Sequence, residues 1–168
     1  QKRQYKVGSE LTNKQWKLLE PLLPEPAVSA KGGQKYASNR ACLEGILWIL
    51  RTGARWRDMP ERFPSGSTCW RRLNGWQEAG VFVDVWQTLL GTLDEKGRLK
   101  WDEVFAMERF HPQKKGDCVG KTKRGKGTKL MVVADGKGIP IGLKLTSATP
   151  HESTLIEDTL DTIRVPRQ

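Results

Sequence analysis

Histidine and cysteine are scarce in this chain, with two of the first (His111, His151) and three of the second (Cys42, Cys69, Cys118) among 168 residues. The cysteines are widely spaced, odd in number and form no CxxC, so no disulfide framework is expected, and two histidines do not complete a structural zinc set. Long apolar runs are missing as well. The longest, residues 46–50 and 131–134, fall far below the ~18 residues needed to span a bilayer, so no membrane partner is expected. The N-terminal QKRQYKVGSELT is basic, with no apolar h-region or small-residue cleavage site behind it. Secretion has no support, and the cytoplasm is the expected location.

Acidic residues are also in short supply, 19 against 29 Lys and Arg, for a formal net charge of +10. The excess is gathered rather than spread: +3 in residues 1–6, +4 in 51–72 and +6 in 111–129, leaving −3 for the rest of the chain. Separated cationic clusters on a near-neutral background point to a polyanion, double-stranded DNA above all. With 37% hydrophobic and 29% charged residues, the length suits one domain or two small ones.

The first 93 residues carry helical periodicity. Thr12 and Gln15 have the spacing of a capping box, and Leu11, Trp16, Leu19, Leu22 and Leu23 recur at near-helical intervals up to Pro24. Residues 24–37 read as a loop. Ser38 or Asn39 then caps a central helix to about Thr52, with an apolar stripe of Cys42, Ile46, Ile49 and Leu50, and with Gly53 as its stop. After a turn around residues 56–60 comes a helix capped by Ser67 or Thr68 and ending near Gly80, with Trp70, Leu73 and Trp76 expected in the core; residues 81–93 add another helix.

A helix that follows a turn and carries Arg pairs suits the major groove, which assigns Ser67, Thr68, Arg71 and Arg72 to DNA reading and Arg55, Arg57 and Arg62 to phosphate contacts. The run GKTKRGKGTK lacks the strand-before, helix-after context of a P-loop. It reads as a basic hairpin arm whose Lys121, Lys123, Arg124 and Lys126 touch the DNA backbone.

Beyond Trp101 the pattern becomes that of strands, at residues 104–110, 128–134 and 139–146, with Asp135-Gly136-Lys137-Gly138 as the last turn. A helix starting near His151 is expected to pack on this meander, leaving one sheet face and an edge uncovered. Hydrolysis of DNA would call for two or three converging carboxylates holding paired metals. Asp135 is explained by turn geometry, and Asp102, Glu103 and Glu108 read as surface charges.

The segments LTNKQWKLLEPLLP, ILWILRTGARWRDMPERFPSGSTCWRRLNGWQEAGVF, VGKTKRGKGTKLMVVADGKGIPIG and SATPHESTLIEDTL together resemble a bacterial insertion-sequence transposase of the DDE type. The resemblance implies a fold of α plus α/β class: a helix-turn-helix DNA-binding domain over 1–97, then an incomplete RNase H-like unit over 98–168 made of a three-stranded antiparallel meander and one helix. It also implies strand cleavage and transfer at element ends by three carboxylates on two Mg²⁺. In relatives the first Asp lies on the first strand within an aromatic-x-Asp-Gly-Ser/Thr-aromatic motif ahead of Lys-Lys-Gly; here FAMERF precedes KKG, and Met107 occupies the Asp position. Glu108 should face the other side of that strand. The second Asp and the final Glu of the family would lie beyond Gln168. No catalytic residue, metal ligand or cofactor is therefore assigned to this chain, although Mg²⁺ belongs to the complete family enzyme. The expectation is a chain that binds insertion-sequence ends without cutting them alone, as a homodimer or with a complementing C-terminal fragment. The alternative is a DNA-binding regulator or repressor derived from a transposase.

Overall fold

The computed structural model describes residues 11–25, 36–123, 125–163 and 165. The chain divides into two compact units, Gln1–Val85 and Trp86–Gln168. The first unit is helical and the second is built on an antiparallel sheet. The division falls inside a helix, whereas the sequence-based boundary at 97/98 falls just after that helix.

In the first unit, α1 (Asn13–Leu19) starts on the capping box: Gln15 N–H donates to Thr12 Oγ1 (3.3 Å), and Thr12 N–H donates to Gln15 Oε1 (2.9 Å). The helix tightens into a 3-10 turn over Glu20–Leu22 earlier than Pro24, because Pro21 supplies no backbone N–H. α2 (Asn39–Thr52) is capped by Ser38, which accepts from Ala41 N–H, and is closed by Gly53 in the left-handed region at φ 65°. Its buried face holds Cys42, Leu43, Ile46 and Ile49; Leu50, expected in that stripe, is 66% exposed in the last turn of the helix. α3 (Gly66–Glu78) packs on α2 through Cys69 and Trp76. The closest approach is at Gly45, where an added Cβ would lie 3.2 Å from Cys69 Sγ. α4 (Val81–Glu95) follows.

In the second unit, β1 (Val104–Pro112), β3 (Gly125–Asp135) and β4 (Pro140–Ser147) form the expected antiparallel meander, with β3 in the centre. A short additional strand, β2 (Gly120–Thr122), pairs with the start of β3 and makes a basic hairpin with it. Val133 and Ile141 pack with Leu90 and Leu99, while a 3-10 turn (Glu152–Leu155) and the five-residue α5 (Ile156–Leu160) replace the longer helix expected there. Cross-strand partners share a face, so Met107, Val132 and Leu143 line one side, as do Arg109, Leu130 and Leu145. Phe105, Met107, Leu143 and Leu145 on that side are each about half exposed, an open apolar face among the described residues. No helix of the described residues is long and apolar enough to cross a membrane.

Candidate nucleic-acid interface

A 3-10 turn at Trp56–Asp58 is seated on the start of α3. The contact is backbone to backbone: a Cβ at Gly66 would lie 2.1 Å from the Trp56 carbonyl oxygen, so only glycine fits there. α3 is capped by Ser65, whose Oγ accepts from Thr68 N–H at 3.3 Å. Ser67 and Thr68, expected as caps, instead occupy the first turn, their hydroxyls 3.1 and 2.8 Å from Ser65 Oγ. The cap moves upstream because Gly66, close against Trp56, already belongs to the helix.

The residues that pack on α2 decide which α3 side chains face outward. Cys69, Leu73 and Trp76 belong to the core, and Trp70, expected there, is 50% exposed. Residues three and four apart share a helix face, so Ser67, Trp70, Arg71 and Asn74 form an outward stripe, with Asn74 partly buried. Arg71 is exposed at the end of this stripe near Thr68 and Tyr36, which share a shallow cleft with it. Arg72 turns inward instead. Its guanidinium donates to Asn39 Oδ1 and to the Ala37 carbonyl, and lies 5.8 Å from the Trp76 ring centroid, tying α3 to the start of α2.

Arg55, at the N-cap of the 3-10 turn, and Arg57 within it both approach Asp58, with Nε–O distances of 2.7 and 3.8 Å, and both remain largely exposed. Arg62 stacks over the Phe63 ring at 4.6 Å. A cleft of about 640 Å³ brings Arg57, Ser67 and Trp70 together over a floor that includes Trp56 and Phe63.

The second cationic group is the β2–β3 hairpin. Lys121 and Lys126 are exposed and directly opposite each other in the register, with Lys123 in the turn. Like charges in that position destabilise a ladder, an arrangement that an anionic partner would relieve. Arg124 lies outside the described residues. Lys129, counted in the same cluster by sequence, is a different case: its side chain is 8% exposed and its Nζ lies 2.9 Å from Glu108 Oε2 and 2.7 Å from the Pro150 carbonyl. Glu108 is therefore no surface charge; it sits on the face opposite Met107, pairs with Lys129, and pushes the nearby Glu152 carboxyl above its usual range by hydrogen bonding and like charge.

The sheet's carboxylates do not fit Mg²⁺. Met107 offers a thioether, a soft group that hard Mg²⁺ does not favour. Glu108 points away from it. Asp135, fully buried, spends its oxygens on three backbone N–H groups: Lys100 (2.9 Å) on Oδ2, Lys137 (3.0 Å) and Ile139 (2.7 Å) on Oδ1. Burial opposes its ionisation, but these donors and the Lys137 ammonium outweigh burial and hold the carboxyl below its ordinary range. Among the described residues no three His, Cys, Asp or Glu side chains gather to hold a metal.

Residues 11–86 match a family model described as "Putative transposase of IS4/5 family". The chain is 50% identical over 82 residues to "Insertion element IS402 uncharacterized 16.2 kDa protein" of Burkholderia cepacia, a match covering 46% of this chain and 56% of that protein. It is 32% identical over 91 residues to "Uncharacterized protein y4sN" of Sinorhizobium fredii, covering 54% of this chain and 68% of that one. The chain thus spans little more than half the length of the Burkholderia relative. No solved structure matches it.

Proposed function

Because the chain belongs to the insertion-sequence transposase-related proteins of the IS4/5 kind, we propose that it binds double-stranded DNA at insertion-sequence ends, with α3 as the helix that enters the major groove. α2, the connection 53–65 and α3 act as a helix-turn-helix with an elongated turn. The observation that carries this reading is the outward stripe Ser67, Trp70, Arg71 and Asn74, flanked by the exposed Arg55 and Arg57. Arg reads guanine and Asn reads adenine in the major groove, while the flanking guanidinium groups hold phosphates. Arg72, held inside, supports α3 without touching DNA. The β2–β3 hairpin adds contacts to the backbone without sequence preference. The sheet unit is RNase H-like and does not cleave DNA by itself, since Met107 stands on the open face and Glu108 is engaged with Lys129.

Two measurements test this. In competition binding, Arg71→Ala relaxes base preference at one position, at about 1 to 3 kcal/mol for a lost bidentate contact. Lys121→Ala and Lys126→Ala weaken all sequences alike. The reverse pattern would mean that the two cationic regions have exchanged roles. In a nicking assay on element-end DNA with Mg²⁺, the chain alone leaves the duplex intact; cleavage would refute the inactive reading. Activity on adding a C-terminal transposase fragment would identify a split enzyme, and continued silence a repressor that acts by occupying the ends.

A further inference from the structure

We infer that Trp70 is a specificity-determining residue that recognises a thymine by its 5-methyl group, an inference that rests on α3 lying in the major groove. Two tryptophans six positions apart on α3 have opposite fates: Trp76 is fully buried in the core, and Trp70 is half exposed. The core does not account for Trp70, because Cys69 fills the place nearest α2. Its indole borders a cleft lined by the apolar Trp56, Phe63 and Pro64 together with Arg57 and Glu61. Arg71 adjoins it, and Ser67 and Asn74 lie on the same helical face.

The occupant follows from this chemistry. Around this part of the chain Arg55, Arg57, Arg62 and Arg71 outnumber Asp58 and Glu61, which favours a polyanion over an apolar protein surface. In the major groove thymine alone presents an apolar group, its C5-methyl; the other base edges present only donors and acceptors. A half-exposed indole between phosphate-directed arginines gains from covering that methyl and has nothing to gain from a guanine or cytosine edge.

The test uses the full chain. A binding site is selected from a random duplex library. Affinities are then measured for that duplex and for versions in which each thymine is replaced by deoxyuridine, which lacks the methyl. Trp70→Ala weakens binding to the selected duplex by about tenfold, as truncation of a central aromatic does. At one position deoxyuridine weakens the unmodified chain about fourfold, the value of one buried methyl. The same replacement leaves the affinity of Trp70→Ala unchanged, and Trp70→Phe keeps part of the discrimination. Circular dichroism checks that both variants fold.

If every deoxyuridine effect is equal in the unmodified chain and in Trp70→Ala, the inference is overturned, whatever the substitution does to overall affinity. If Arg71→Ala relaxes preference while that coupling is absent, only the role of Trp70 falls. If the unmodified chain selects no sequence, the DNA-reading assignment of α3 falls and takes this inference with it.

Discussion

Asp135→Ala lowers the stability of the sheet unit by about 3 kcal/mol or more, because it strands three backbone donors, each costing about 1 to 3 kcal/mol when left unpaired away from water. The donors are the N–H groups of Lys100, Lys137 and Ile139, which converge on one buried carboxylate. Asp135→Asn preserves the shape and loses less, since one amide oxygen can still serve Lys137 and Ile139 while its NH₂ opposes Lys100. Chemical denaturation against pH checks the assignment. The folded-state carboxyl lies below its ordinary value of 3.8. Its contribution is therefore complete above about pH 4 and disappears as pH falls through the lower, folded-state value. The stability gap between the unmodified chain and Asp135→Ala should narrow in that acid window by the part the charge contributes, while the neutral carboxyl still accepts from some of the three donors. A gap that stays constant down to strongly acid pH would show that the charge on Asp135 contributes nothing.

Gly66→Ala should be the most damaging single methyl in the helical unit. The new Cβ would meet the Trp56 carbonyl at 2.1 Å, and neither partner is the flexible end of a side chain. The 3-10 turn must lift from α3, at a cost of about 1 to 3 kcal/mol typical of overpacking. Arg55 and Arg57 move with it, so on the proposed DNA-binding role affinity for DNA should fall as well. Gly75→Ala on the same helix is the control. Nothing lies within 4 Å of its added Cβ, and alanine in a helix interior gains about 0.5 to 1 kcal/mol over glycine. Opposite signs for the two variants in thermal unfolding are the expected result; equal losses would remove the close contact from the explanation.

Features governed by neighbours in sequence are legible in the sequence itself. Thr12 and Gln15 form the capping box their spacing announces, Gly53 closes α2 in the left-handed region, and Asp135 opens a turn. Alternation along β1 separates Met107 from Glu108, as a strand requires. The features that were not legible depend on contacts between distant segments. Trp70 outranks Cys69 in hydrophobicity, yet Gly45 brings α2 so close that only a thiol-sized group fits at the crossing. A signal was present in the spacing of Cys69, Leu73 and Trp76, which at i, i+4 and i+7 form one helix face that leaves Trp70 outside it. Lys129 and Glu108 lie on strands whose register no local pattern discloses, so Glu108 reads as a surface charge and Lys129 as one more cation of its cluster until β1 and β3 are aligned. β2 has no apolar residue to announce it; it exists because the hairpin folds back on β3.

Two of the cations that make up the +10 formal charge, Arg72 and Lys129, are turned inward. On the proposed DNA-binding role they should displace no ions from a phosphate backbone. The slope of log affinity against log salt therefore counts fewer charges than the sequence carries: Lys121→Ala and Lys126→Ala should each flatten it by about 0.9. Replacing Lys129 by methionine should leave the slope untouched, however much it disturbs the sheet.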